Sequence, residues 1–553
     1  MMTVRTIFKG IARFSNSQTH TIGGAALLIA FAGIASRLLG FVRDRILASQ
    51  FGAGDFLDAY YAAFRIPDLI YGLLVAGALS AAFIPVFTEL LSDKKDEEAW
   101  KLTSGLFHII LILLGLLALI GILFAPWLTE FLAPGFSSEK KELTALLTRV
   151  MLLSPLFLGM SAVFGGVLVS FKRFAAYSLA PIFYNLGIIV GALIFTRWFG
   201  PAGLAWGVVF GSFLHMLIQY PALRLSGFRY QGFSLDVWKD PFVRRVGLLM
   251  IPRSLSMGVS QISLLVMTVF ASTLASGSLA AFTFANNIQS VPLGLFGIAF
   301  SLAVFPSLSL LAAKKKDGEF FEMFSQTARR ILFFVAPISL AMIIFRAQFV
   351  RVILGAGAFD WEDTILTFEI LKFLSLSLFA QSLIPLFARG FFALQNTKVP
   401  LYIALVSETV HIILLPLLLP HYAAEALAIS FSVASIVNVL LLYVALRSRV
   451  SKWSDQSFLL PIAKIFFAAL LAGAIAQLSK YLFALTTNEL DTFIEVFLQL
   501  LIGLTIGGSA FVFFCFILKV EELSMVKRFI LCRILRKPET ATLTEDHPER
   551  GDW

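Results

Sequence analysis

Apolar residues in this chain fall in long unbroken runs. Stretches such as 109–125, 179–195, 333–345 with its flanks and 496–518 each approach the ~20 residues that a helix needs to cross a hydrocarbon core. Lipid offers no partner for backbone N–H and C=O groups, so a spanning segment must satisfy them itself, as a helix does. The runs are continuous and not alternating, which argues against a β-barrel. The pattern predicts an all-α polytopic membrane protein with about fourteen transmembrane helices. They fall near 24–50, 57–91, 102–127, 146–171, 177–199, 202–224, 246–274, 279–311, 328–350, 364–392, 399–419, 424–447, 460–484 and 493–519.

The polar segments between the runs sort by sign. Alternate loops carry Lys94 and Lys95; Lys172 and Arg173; Arg224, Arg229, Lys239, Arg244 and Arg245; Lys314, Lys315 and Lys316; Lys398; and Arg447, Arg449 and Lys452. The C-terminal tail adds Lys527, Arg528, Arg533, Arg536 and Lys537. The intervening loops are neutral or acidic, such as Asp360 to Asp363 and Glu489 to Asp491, while the charges of Glu139 to Glu142 cancel. The positive-inside rule then places both termini in the cytoplasm of a bacterial-type inner membrane.

Composition agrees. Only 14% of residues are charged, against about 25% in a water-soluble domain. The net charge of +10 follows from cytoplasmic loops and does not indicate nucleic-acid binding. The cysteines Cys515 and Cys532 form no disulfide framework or metal motif. The first 22 residues read as a basic amphipathic lead-in to a retained first span, with no convincing cleavage site. The polar, Pro-containing stretch 538–553 has the composition of a disordered tail. The six histidines form no HExxH or His-Cys cluster, and no GxSxG or P-loop is present, so enzyme chemistry has no support.

Two stretches look like copies of one unit. Residues 51–91 and 274–313 both run from Gly through an aromatic cluster, a mid-helix Pro and a Gly-rich patch to Phe-Ile-Pro or Val-Phe-Pro, followed by a basic run. An even number of spans separates them, so both keep one orientation. Parallel halves with a site between them are a transporter architecture.

Charges inside spans point to that site. The first span holds Arg37, Arg43, Asp44 and Arg45; the second adds Asp58, Arg65 and Asp68 around Pro67, which removes a backbone hydrogen bond and kinks the helix. An Arg or Asp at a membrane helix centre costs about 2.5–3.5 kcal/mol, so such residues face a water-filled cavity by default. A net positive wall suits an anionic substrate, because the guanidinium fork donates two hydrogen bonds to phosphate. The plainer reading is that these arginines snorkel or pair internally. Arg253 follows Pro252 in the seventh span, and Asn286 and Asn287 lie in the eighth. Glu408 and His411 share one face of the eleventh span at i, i+3, where they either bind Na⁺ or relay protons, or form a satisfied internal hydrogen bond.

The segment ASRLLGFVRDRILASQFGAGDFLDAYYAAFRIPDL, residues 35–69, resembles the start of the MurJ/MviN family of lipid II flippases. LAPGF at 132–136, SQISLLVMTVFASTLASGS at 260–278 and ARGFFALQNTKVP at 388–400 resemble family segments in the same order. The resemblance implies two six-helix lobes around a cationic cavity and two C-terminal helices lining a groove for a lipid tail. The expected organisation is a lead-in at 1–22, an N-terminal lobe at 23–225, a linker at 226–245, a C-terminal lobe at 246–450, the groove helices at 451–520 and a cytoplasmic tail at 521–553. Arg37, Arg43, Asp44 and Asp58 match family positions in the substrate site. The chain departs from the family at Tyr71, where an arginine is frequent, and at Asn286-Asn287, where an Asp-Arg pair is usual. Arg65, Arg45 or Arg253 are the candidates to replace the missing charge. The resemblance implies a transporter, not an enzyme, that moves undecaprenyl-diphosphate-linked peptidoglycan precursor outward by alternating access. No cofactor is implied; the drive would come from Na⁺, H⁺, membrane potential or downstream consumption. Lipid II, membrane lipids and cell-wall synthesis proteins are the implied partners. A flippase for another polyprenyl-linked oligosaccharide, and a transport-inactive scaffold for cell-wall synthesis, are the alternatives.

Overall fold

The computed structural model describes residues 22–75, 78–232, 235–485 and 492–524. The expected lead-in, most of the tail and the acidic loop at Glu489 to Asp491 lie outside them. Every element among the described residues is helical. Grouping pieces joined by a short break, the helices are α1 (Ile22–Phe51), α2 (Asp55–Ala63, Arg65–Leu74 and Ala78–Ser92), α3 (Asp96–Leu132), α4 (Ser138–Ser170), α5 (Phe174–Phe199), α6 (Ala202–Leu225) and α7 (Pro241–Ala271). There follow α8 (Ser278–Ala313), α9 (Asp317–Ile344, continued by Arg346–Leu354), α10 (Trp361–Leu376 and Leu378–Ala393), α11 (Lys398–Tyr422), α12 (Glu425–Arg447), α13 (Asp455–Ala484) and α14 (Phe493–Ile517).

Ten of these are long and apolar enough to cross a membrane, and eleven if the two pieces of α10, bent by 45°, form one span. Length and apolarity therefore do not reach the expected count of fourteen. The three expected spans outside this set are α1 and α2, which carry charges or are broken, and α7, of which only Gln261–Ala271 enters the count, as a shorter apolar helix.

The breaks have local causes. Pro67 has no N–H to offer the carbonyl of Ala63, and α2 loses its helical path one residue later, at Phe64. In α8 the helix passes into a π-segment, Leu293–Ile298, directly after Pro292. The two stretches that look like copies thus both depart from a regular helix close to their shared proline.

Helices α1 to α6 pack together, with α1 against α5 and α6 against α4 and α5. Helices α8 to α12 form a second group, and α13 and α14 pair with each other against α9. Helix α7 belongs to both. Val243 and Val246 join the core that includes Phe83, Val86, Leu102 and Leu106 of the first group, while Met267 and Ala271 join the main core shared with the second. The linker before α7 also packs inward: Gln231 N–H donates to Ser104 Oγ at 3.0 Å, and Lys101 pairs with Asp240 at 3.6 Å. On the lipid side α1 exposes Phe31, Leu38 and Val42.

Candidate functional site

The two groups meet at one face of the molecule, where α1 ends and α2 and α8 begin. Ala358 N–H donates to Ser49 O at 2.8 Å, Ala53 N–H to Asp363 Oδ2 at 2.8 Å and Gly135 N–H to Ser272 Oγ at 3.1 Å. At the centre is Asp58, 1% exposed. Its carboxylate accepts from Gly277 N–H at 2.8 Å and Ala280 N–H at 2.9 Å, capping the first turn of α8 from the opposite group. Those amides have no partner within their own helix, and the helix dipole adds attraction for a negative charge. Lys140 completes the latch at 2.8 Å from Asp58 and 2.7 Å from Asp55, with Phe136 beneath its ammonium. The hydrogen bond from Lys140 holds Asp55, outside the span, below the usual carboxylate range. Backbone runs against backbone here, so glycine is required twice. Gly277 (φ +85°) would place a Cβ 1.7 Å from Ala53 O, and Gly357 (φ +59°) would place one 2.3 Å from Ser49 O.

Further into the molecule the groups part around a cavity of about 310 Å³. Arg43, Tyr60, Tyr61, Arg65, Asp68 and Tyr184 line one side; Leu264, Phe282, Thr283, Asn286 and Asn287 line the other. Arg43 donates to Asp44 Oδ1 at 2.8 and 3.0 Å and to Asn185 Oδ1 at 2.9 Å. Asp44, 2% exposed, accepts from Asn287 Nδ2 at 2.9 Å through its other oxygen, joining α1 to α8. Arg65 Nε donates to Thr268 Oγ1 at 2.7 Å. Asn286 accepts from Gln289 at 3.1 Å, within its own helix.

The other candidates sit elsewhere. Arg37 donates to Val291 O at 2.8 Å with its guanidinium against Gly294, at the entry to the π-segment of α8. Arg45 is not among the cavity-lining residues. It donates to the carbonyls of Val352 (2.7 Å) and Ile353 (3.3 Å), at the C-terminal end of α9 where a cation is favourable, and lies over the Phe493 ring. The side chain of Arg253 lies outside the described atoms. Asp58 belongs to the latch and not to the cavity lining. His411 and Glu408 do touch, at 3.1 Å, and Ser263 Oγ is 3.2 Å from the same ring nitrogen. They form a buried contact between α7 and α11, and neither lines the cavity. No cluster of three metal-ligating side chains occurs among the described residues.

Sequence reasoning missed Asn185, Thr268 and the tyrosines of the cavity, and missed Lys140. Asn185 carried a signal, as a lone amide in an apolar span. Lys140 was hidden in a segment whose charges cancel.

A second concavity, of about 350 Å³, lies between α9, α13 and α14, lined by residues such as Phe333, Pro337, Ile344, Gly473, Gly503 and Phe511. Its lining is apolar up to one level, where Lys480 Nζ donates to Ile344 O at 2.9 Å and Gln348 to Gln499 at 2.7 Å.

Two helical groups closed over one face, with charged side chains in a cavity between them, define a two-lobed membrane transporter. The fold is shared with an inward-facing multidrug resistance MATE family transporter of the MOP superfamily (TM-score 0.62, 19% identity, 75% of this chain and 94% of that one). A solved lipid II flippase MurJ in an inward closed conformation matches more fully, with a TM-score of 0.73 and 25% identity over 92% of this chain and all of that one. The family model "Lipid II flippase MurJ" matches residues 47–517. A probable lipid II flippase MurJ of Bdellovibrio bacteriovorus is 31% identical over 513 residues, 91% of this chain and 96% of that protein. The lipid II flippase MurJ of Burkholderia cenocepacia is 29% identical over 439 residues, 78% of this chain and 83% of that protein. The chain belongs to the lipid II flippase MurJ family.

Proposed function

We propose that this chain is itself a lipid II flippase, moving the undecaprenyl-diphosphate-linked precursor from the inner to the outer leaflet of a bacterial cytoplasmic membrane. The observation that carries the reading is Arg43. It lines a cavity between the lobes and is held in place from two sides by Asp44 and Asn185. A positioned guanidinium in a membrane interior is suited to a diphosphate. The basic loops support cytoplasmic termini, so the latched face is the outer one and the state is closed to the outside. Outward release then requires the Asp58 latch to part while the cytoplasmic side closes, as alternating access demands. The groove of α9, α13 and α14 is the apolar surface suited to the polyprenyl tail. The Glu408–His411 pair is the candidate for coupling to Na⁺ or H⁺, with membrane potential as the other source of drive. The basic tail would be the contact point for cell-wall synthesis proteins.

Complementation of cells depleted of their lipid II flippase tests the reading. The intact chain should restore growth, and Arg43→Ala, at equal abundance in the membrane, should not. Rescue by both would remove Arg43 from the mechanism. Asn287 and Tyr71, where the family tends to hold arginines, favour one second reading, another polyprenyl-diphosphate-linked sugar. That reading is supported if neither form restores growth while the intact chain moves such a lipid in vesicles.

A further inference from the structure

The charges of the cavity do not add up to a cationic wall. Asp44 answers Arg43 at 2.8 Å. Arg65 and Asp68 lie one turn apart on the second piece of α2, and both line the cavity. Arg65 is turned toward Thr268. The carboxylate of Asp68 makes no hydrogen bond or ion pair to any described residue.

The packing of α2 on α7 shows what faces it. Arg65 bonds Thr268, and Gly72 packs against Gln261, so in this antiparallel register Asp68 lies opposite Leu265. The α7 residue nearest to it is apolar. The electrostatic neighbours of Asp68 are Arg65 and Tyr71, one turn away on either side along its own helix, and Tyr184 of α5; Arg65 is turned to Thr268 and makes no direct ion pair with it. An unpaired carboxylate in a membrane interior is expensive and marks function by default. The cavity therefore presents Arg43 on α1 and, on α2, Asp68 one turn from Arg65: charges of both signs at separate places, and not a single anion site.

We infer that Asp68 binds an ammonium group on the peptide of the transported head group and so sets specificity for heads that carry a free amine. This rests on the lipid II reading above: the diphosphate meets Arg43, and the peptide amine meets Asp68. A carboxylate–ammonium hydrogen bond discriminates by about tenfold or more.

The test uses the full chain in proteoliposomes with two probes, lipid II bearing a lysine side-chain amine and the same lipid with that amine acetylated. The readout is the ratio of their transport rates on one protein preparation, which is independent of how much of a variant folds. The wild type should favour the free amine by about tenfold. Asp68→Asn should bring the ratio close to one, and Asp68→Glu should keep a preference. A wild-type ratio near one, or an unchanged ratio in Asp68→Asn, overturns the inference. Movement of neither probe by the wild type overturns the lipid II reading, and the inference with it.

Discussion

The latch and the cavity lie next to each other between the same two lobes, and they treat charge in opposite ways. In the latch Asp58 has two amides and an ammonium, and backbone contacts fill the space around it. In the cavity Arg43 keeps two of its five N–H donors free, Arg65 makes one bond, and Asp68 makes none to any described residue. The same residue types thus serve two ends. A saturated charge holds one conformation, because breaking it strands a buried partner. A charge left unsaturated keeps its capacity for a ligand.

The largest effect is expected from Asp58→Ala. It leaves Lys140 with the exposed Asp55 alone and strips the first turn of α8 of its cap. Loss of one partner of a buried pair costs about 3–5 kcal/mol, which should open most of the closed population. With Cys515 and Cys532 replaced by serine, a Ser49→Cys, Ala358→Cys pair reports closure by oxidative cross-linking. The yield should be high in the parent and should collapse on adding Asp58→Ala. An undiminished yield would mean that the latch does not hold the lobes. Asn287→Ala is a finer test, because it removes one cross-lobe hydrogen bond at cavity level, worth about 1 kcal/mol or roughly fivefold. It should slow lipid transport by that factor and leave the cross-link intact. Arg45→Ala should have the smallest effect. It lowers thermal stability by up to about 1 kcal/mol through loss of a cation at the end of α9, with little change in transport. A transport loss as large as that of Arg43→Ala would place Arg45 in the cavity after all.

The spans that sequence identifies best are those with nothing to do but cross, such as α3 and α14. The functional helices were legible through the opposite signal, charge inside a run: α1 holds Arg37, Arg43, Asp44 and Arg45, and α2 holds Asp58, Arg65 and Asp68. What remained hidden was direction. Arg43 and Arg45 are two residues apart, about 200° around a helix, so at most one of them can face a given cavity. Sequence alone does not say which face of α1 turns inward. Nor does it show that Asp58 caps a helix beginning at residue 278, since the partner amides carry no side-chain signature. Pro67 was informative because its effect is local: the helix breaks where the missing N–H requires.

Helix α7 adds a mechanical consequence. Its first turns are clamped into the core of the first lobe through Val243 and Val246, and its last turns, through Met267 and Ala271, into the main core that both lobes build. A beam fixed at both ends cannot follow two bodies that rock apart; it must flex between its anchors. Pro252 lies between those anchors in the sequence, where a missing backbone N–H makes bending cheap. Each transport stroke would therefore load α7 as a leaf spring, whose recoil helps return the lobes to rest.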